Sequence, residues 1–159
     1  MFSSKIVSGF NGEINIPGDK SISHRSIIIP SISKGICEIS NILKSQDVMH
    51  TLNAFRLMGV KIDELKNKII IHGRGLNSLQ KPNREIQLGN SGTSARLLAG
   101  LLSAQKFNTT LLGDKSLSLR PMKRITDPLK LMNAKIETSN GCLPIKIYGR
   151  ELQNIEIRI

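Results

Sequence analysis

The chain reads as an α/β protein built from βαβαββ repeat units, two of them complete and a third only begun. Three observations predict this. Glu13-Ile-Asn-Ile16, Glu85-Ile-Gln-Leu88 and Glu156-Ile-Arg-Ile159 share one short strand pattern, at intervals of 72 and 71 residues. Between these marks, Leu57-Met-Gly-Val-Lys-Ile-Asp63 returns as Leu131-Met-Asn-Ala-Lys-Ile-Glu137, and Ile71-His-Gly-Arg74 returns as Ile147-Tyr-Gly-Arg150. A repeat of this length is one supersecondary unit, which buries its apolar face against its neighbours.

The elements follow in order. Glu13–Ile16 alternates as a short strand and leads into a Gly-containing turn. A helix is expected near 22–33 and a strand near 36–42. The next helix, near 46–58, carries its own punctuation. Ser45 suits the N-cap, Asp47 falls in the first turn and Gly59 stands at C′. Val48, Leu52, Phe55 and Leu57 recur at helical spacing and mark a core face. Strands at 60–64 and 68–72 close the unit. The second unit repeats the order: strand 85–88, helix 93–104, strand 108–112, helix 121–133, strands 135–139 and 143–148. Pro121 suits N1 of its helix, where a missing N–H costs nothing, and Ile125, Leu129 and Met132 form the core stripe. The units run from about 13 to 84 and from about 85 to 155, and a third opens at 156–159. Two units alone would leave an open sheet edge and an uncovered apolar face.

Composition narrows the class. With 159 residues, 39% hydrophobic and 22% charged, the chain can bury a real core. Aromatics are 3% with no Trp, so Ile and Leu must build that core. Cys37 and Cys142 are far apart and fit no metal spacing, which reads as two reduced, part-buried thiols. No signal peptide and no run of transmembrane length is evident, so the expected compartment is the cytoplasm. The net charge of +11 is the footprint of a nucleic-acid binder, a bland basic surface or a site for small anions. Lys and Arg are spread along the chain and stacking aromatics are scarce, which argues against nucleic acid.

Three junctions carry the candidate chemistry. In Pro17-Gly-Asp-Lys-Ser-Ile-Ser-His-Arg25, Lys20, Ser21 and Arg25 sit at or just inside a helix start. Free N–H groups and the positive end of the helix dipole favour phosphate there. In Leu88-Gly-Asn-Ser-Gly-Thr-Ser-Ala-Arg96, Gly89 and Gly92 permit close backbone approach to a ligand. Arg96 matches Arg25 in repeat register, but falls one turn into an apolar helix, where a structural role suits it as well. Gly113-Asp-Lys-Ser-Leu-Ser-Leu-Arg-Pro-Met122 is a polar loop that brings Arg120 to another helix start, where a bidentate Arg suits carboxylate or phosphate. On spacing alone, each junction is equally a Ser-capped helix or a turn with solvated basic residues. Three of them in repeat register point to a shared anion site.

Taken together, PGDKSISHR, LGNSGTSARLL and GDKSLSLRPM resemble the signatures of the EPSP synthases, the 3-phosphoshikimate 1-carboxyvinyltransferases, in order and in spacing from about residue 10 onward. The resemblance implies two lobes of the inside-out α/β barrel type, each of three βαβαββ units, with substrates in the cleft between them. Residues 1–159 would be an incomplete first lobe. It implies shikimate 3-phosphate binding by Lys20, Ser21 and Arg25, and phosphoenolpyruvate binding by Lys20, Gly92 and Arg120, with Asn90 and Thr93 beside Gly92. The Gly92 site is also the one that glyphosate uses in the family.

The implied reaction transfers the enolpyruvyl group to the 5-hydroxyl of shikimate 3-phosphate, in the route to chorismate and aromatic amino acids. No metal or organic cofactor is implied. The catalytic Asp and the Lys/Glu pair of the family fall on the other lobe, so no catalytic residue is expected here. Asp47, Asp114 and Asp127 read as helix or turn residues instead. The isolated chain is therefore expected to be inactive, with room for a separate polypeptide carrying the missing lobe. The alternatives are a non-catalytic remnant or anion-binding module, and a UDP-N-acetylglucosamine 1-carboxyvinyltransferase. Ser21 and the Ser-His-Arg after it argue against the last.

Overall fold

Strand β1 (Lys34–Ser40) pairs antiparallel with β3 (Lys68–Arg74), which pairs antiparallel with β2 (Lys61–Glu64), giving the sheet order β1-β3-β2. The second sheet has the order β4-β5-β7-β6, from β4 (Ile86–Gln87), β5 (Asn108–Leu112), β6 (Lys135–Ser139) and β7 (Cys142–Tyr148). These pairings belong to a computed structural model that describes residues 11–156, together with Ser3 and Gly9. The repeat is visible in the register. Lys61 lies opposite His72 and Ile62 opposite Ile71, while Lys135 lies opposite Tyr148 and Ile136 opposite Ile147.

Four helices join the sheets: α1 (Lys20–Ile32), α2 (Gln46–Leu57), α3 (Gly92–Ser103) and α4 (Lys123–Leu131). Helix α1 lies on the first sheet and α3 on the second. Helix α2 packs against both α1 and α3, and α4 packs against α3 and β6. The core forms where these faces meet. Ile27, Val48, Leu52, Phe55, Ile69, Ile71, Leu98, Leu102, Leu111 and Ile145 are fully buried. Both predicted stripes point into it: Val48, Leu52 and Phe55 at 0% exposure, Leu129 at 6%, and Ile125 and Met132 half-buried against it. Leu57 is only half-buried, and Met58 takes the core position beside it.

The caps explain the helix ends. Ser45 accepts from the Val48 N–H, and Gly59 follows α2 with φ 83°, the left-handed conformation expected of C′. Arg56, in the last turn of α2, bonds Glu64 at 2.6 Å and the Ile62 carbonyl at 3.0 Å, tying α2 to β2.

Three expectations need correction. Glu13–Ile16 is not a strand: Ile14 and Ile16 are 80% and 72% exposed, and no sheet edge pairs with them among the described residues. Alternation supplies a face, but a strand also requires a hydrogen-bonded partner. Its counterpart 85–88 shrinks to Ile86–Gln87, which pairs parallel to β5, with Leu88 adding a bond from its N–H to the Leu112 carbonyl at 2.9 Å. Pro121 is not at N1. The Met122 N–H is taken by the Gly141 carbonyl at 2.8 Å, so Met122 becomes the N-cap and α4 starts at Lys123. The same helix ends at Leu131 because Asn133 adopts φ 69°. Residues 157–159, most of the third unit's strand, lie outside the described residues.

Some edges and apolar side chains are open among the described residues. The outer edge of β1 is unpaired, and Ile22, Ile29 and Leu97 are 56%, 55% and 45% exposed. Cys37 and Cys142 are free and half-buried. Among the described residues, no helix is long and apolar enough to cross a membrane.

Candidate substrate site at two helix starts

Helix α1 begins at Lys20 because Asp19 caps it, Oδ1 accepting from the Ile22 N–H at 2.7 Å. Ser23 fixes the same end. Its hydroxyl donates to the Asp19 carbonyl at 2.7 Å and accepts from the Leu43 N–H at 3.0 Å, which pins the loop before α2. Lys20 reaches across and pairs with the Asp47 carboxylate in the first turn of α2. Asp47 thus has a tertiary partner, beyond the role of a first-turn helix residue. Ser21 and Arg25, one turn apart, are exposed on α1. Arg25 borders a shallow groove of about 430 Å³ between α1 and β1, with Ile22 and Ile29 beside it.

Helix α3 begins at Gly92, with Ser91 as N-cap. Gly92 is buried, and two arginines converge on it. A Cβ at this position would lie 2.7 Å from Arg96 Nη1 and 3.3 Å from Arg120 Nη1. Arg96 is anchored, donating to the Gly92 carbonyl at 3.1 Å and to the Pro121 carbonyl at 3.5 Å, in keeping with the structural role suggested for it. Arg120 is exposed at the end of a 3-10 turn, Leu117–Leu119, and makes no ion pair among the described residues. That turn is set by Asp114, whose Oδ1 accepts from the Leu117 N–H at 2.7 Å and whose own N–H donates to the Gly89 carbonyl at 2.8 Å. The loop before Arg120 is therefore laced to the loop before Gly92. Asn90 and Thr93 flank Gly92 and are exposed.

The two helix starts are joined beneath the surface. His24 Nδ1 lies 2.8 Å from Thr51 Oγ1, Thr51 Oγ1 lies 2.6 Å from Ser94 Oγ, and Ser94 Oγ lies 2.6 Å from Ser91 Oγ. All four residues are buried. Burial holds the His24 imidazole below the ordinary histidine range. The Lys20 charge adds to this and the Asp47 charge opposes it. The motifs contain His24, Ser91 and Ser94 but gave no sign of this chain, because its links span 27 and 43 residues. The one legible signal is periodic: His24 stands four after Lys20 and Thr51 four after Asp47, one turn beneath an ion pair.

The arrangement therefore gathers Gly92, Arg96 and Arg120 at one helix start, and sets Lys20, Ser21 and Arg25 on another joined to it. Helix N-termini and neighbouring cations are the features that favour anions. The fold class is that of the enolpyruvyl transferases: the enolpyruvyl transferase NikO from Streptomyces tendae superposes with a TM-score of 0.50 at 15% identity, over 81% of this chain and 29% of that one. Within that class the match narrows. The family model for EPSP synthase (3-phosphoshikimate 1-carboxyvinyltransferase) matches residues 5–159, and the chain belongs to that family.

Relatives agree. A 3-phosphoshikimate 1-carboxyvinyltransferase from Ruthia magnifica is 50% identical over 153 residues, 96% of this chain and 35% of the relative. One from Oceanobacillus iheyensis is 48% identical, over 95% of this chain and 36% of the relative. The EPSP synthase from Acinetobacter baumannii superposes with a TM-score of 0.88 at 47% identity, over 92% of this chain and 34% of that structure. The chain thus spans about a third of the length of these relatives.

Proposed function

We propose that the chain supplies part of the substrate-binding surface of a 3-phosphoshikimate 1-carboxyvinyltransferase, as two repeat units of its first lobe. The observation that carries this reading is the pair of helix starts, α1 and α3, joined by buried hydrogen bonds and surrounded by Lys20, Arg25 and Arg120. Lys20, Ser21 and Arg25 take shikimate 3-phosphate. Gly92 and Arg120, with Lys20 between the ligands, take phosphoenolpyruvate, and Asn90 and Thr93 line the same end. Each substrate is multiply anionic, so charge-assisted bonds from N–H groups, one Lys and two Arg suit both.

In the reaction, the 5-hydroxyl of shikimate 3-phosphate loses its proton and attacks C2 of phosphoenolpyruvate while C3 gains a proton. The tetrahedral ketal then expels phosphate and releases a proton from C3, restoring the double bond. This chain's residues hold and orient the reactants, which accounts for the entropic part of catalysis. Proton transfer needs a group within hydrogen-bond reach of the reacting atoms. Asp47 is engaged by Lys20 and Asp114 by the Leu117 N–H, while Asp127 is exposed on α4, so none is free at the α1 and α3 starts. The catalytic carboxylate and the Lys/Glu pair are assigned to a second lobe, on a separate polypeptide or on chain beyond these residues. The compartment we assign is the cytoplasm.

The names of the relatives favour this substrate pair over UDP-N-acetylglucosamine as acceptor. Calorimetric titration of the chain tests the choice. Shikimate 3-phosphate should bind saturably and UDP-N-acetylglucosamine should not, while a mixture of both substrates should release no phosphate. Binding of the nucleotide sugar would refute the substrate assignment, and turnover by the chain alone would refute the placing of the proton-transfer groups on a second lobe.

A further inference from the structure

The buried chain His24–Thr51–Ser94–Ser91 lies beneath the proposed substrate surface and joins the helices that carry its two halves. Satisfaction of the buried groups favours one placement of its hydrogens. The Ser94 backbone N–H donates to Ser91 Oγ at 3.3 Å, so the Ser91 hydroxyl is free to donate to Ser94 Oγ. The Ser94 hydroxyl then donates to Thr51 Oγ1, and the Thr51 hydroxyl turns back to the Asp47 carbonyl at 3.4 Å. Thr51 Oγ1 is left as an acceptor toward His24, which must present Nδ1–H. The reverse direction would put the imidazole proton on Nε2, which is buried with no partner. A buried orphan N–H is rarer than a buried bare acceptor, so the first direction is favoured. Burial also keeps the ring neutral, as a single-donor role requires.

We propose that His24, Thr51 and Ser94 are positioning residues: an oriented hydrogen-bond chain, headed by His24 as its Nδ1–H tautomer, that fixes the α3 start at Ser91–Gly92 relative to the α1 start at Lys20. The consequence for substrate binding rests on the reading given under Proposed function. The positioning itself does not. Thr51 is the branch point, because its one oxygen meets both His24 and Ser94. Removing that oxygen while keeping the volume separates the α1 link from the α3 link.

The test uses the whole chain with 15N-labelled histidine and backbone. At pH 7.5 the His24 ring, identified by its loss in His24→Gln, should show a protonated Nδ1 and a bare Nε2. Thr51→Val should abolish that signature and move the amide signals of Gly92 and Thr93, while Thr51→Ser restores both. Ser94→Ala breaks the same link to α3 and carries the same expectation for Gly92 and Thr93 should Thr51→Val fail to fold. A protonated Nε2, unmoved Gly92 and Thr93 amides, or equal behaviour of the Val and Ser variants overturns the proposal. Shikimate 3-phosphate is then titrated into each folded variant. An affinity at least fivefold weaker in Thr51→Val than in Thr51→Ser extends the positioning role to the substrate. A chain that gives the ring and amide results but binds no shikimate 3-phosphate keeps the relay and refutes only the substrate reading.

Discussion

Replacing Gly92 by Ala should weaken phosphoenolpyruvate binding while leaving the fold intact, and the size of both effects follows from the geometry. The new Cβ would lie 2.7 Å from Arg96 Nη1 and 3.3 Å from Arg120 Nη1. Comfortable contact begins near about 3.5 Å, so the Arg96 guanidinium must retreat by about 0.8 Å. Its bond to the Gly92 carbonyl, now 3.1 Å, is then lost. Both obstructing atoms are the far ends of flexible side chains, so the cost in the fold is about 0.5–1.5 kcal/mol. Gly92 is the first residue of α3, so the preference of a helix interior for Ala offsets only part of this. Stability should therefore change by less than about 1.5 kcal/mol.

The ligand has no such offset. A Cβ that crowds Arg120 off the anion forfeits one charge-assisted bond, about 1.5–3 kcal/mol, or roughly 10- to 150-fold in affinity. The assay is calorimetric titration of phosphoenolpyruvate at saturating shikimate 3-phosphate, alongside urea denaturation of the ligand-free chain. Parent-like affinity in Gly92→Ala would refute the placing of phosphoenolpyruvate against Gly92 and Arg120. Loss of more than about 3 kcal/mol of stability would refute the claim that only side-chain ends stand in the way.

Gly73→Ala and its repeat partner Gly149→Ala should behave oppositely, since a Cβ there runs into backbone: the Pro30 and Ser33 carbonyls for the first, the Gln105 and Phe107 carbonyls for the second. Backbone yields poorly, so each should cost about 3 kcal/mol in urea denaturation, and a change below about 0.5 kcal/mol would contradict the packing described. Lys20→Met should alter stability by about 1 kcal/mol or less, because Lys20 is 49% exposed and water screens its pair with the half-buried Asp47. The same variant should weaken shikimate 3-phosphate by at least about tenfold in calorimetry. His24 makes stability depend on pH. Its folded pKa is lowered, so its contribution is complete above the unfolded value of about 6.5 and declines as pH falls through it, since the unfolded chain then binds the extra proton. Urea midpoints should fall from pH 7.5 to pH 5.5, and His24→Gln should flatten the difference; an equal fall in both proteins would contradict the assignment.

The repeat made most of the fold legible. Helical spacing in Val48, Leu52 and Phe55, the Ser45 cap and the Gly59 stop were local signals, and local signals survive folding unchanged. Glu13–Ile16 and Pro121 misled because each depends on a distant partner: an edge to pair with in one case, the Gly141 carbonyl in the other. The helix starts and their cations were readable from the motifs, as were the glycines. The convergence of Arg96 and Arg120 on Gly92 was not, and neither was the pairing of Lys20 with Asp47, since both are set by how α2 and the Asp114 loop pack against their neighbours.

The most direct measurement is a backbone-amide NMR titration of the chain with shikimate 3-phosphate. The net charge of +11 makes diffuse anion binding the competing outcome. A built site predicts saturable shifts confined to the α1 start around Lys20, Ser21 and Arg25, extending to Gly92 and Thr93, and lost in Lys20→Met. Shifts scattered over the basic surface without saturation, or none at the α1 start, would contradict it.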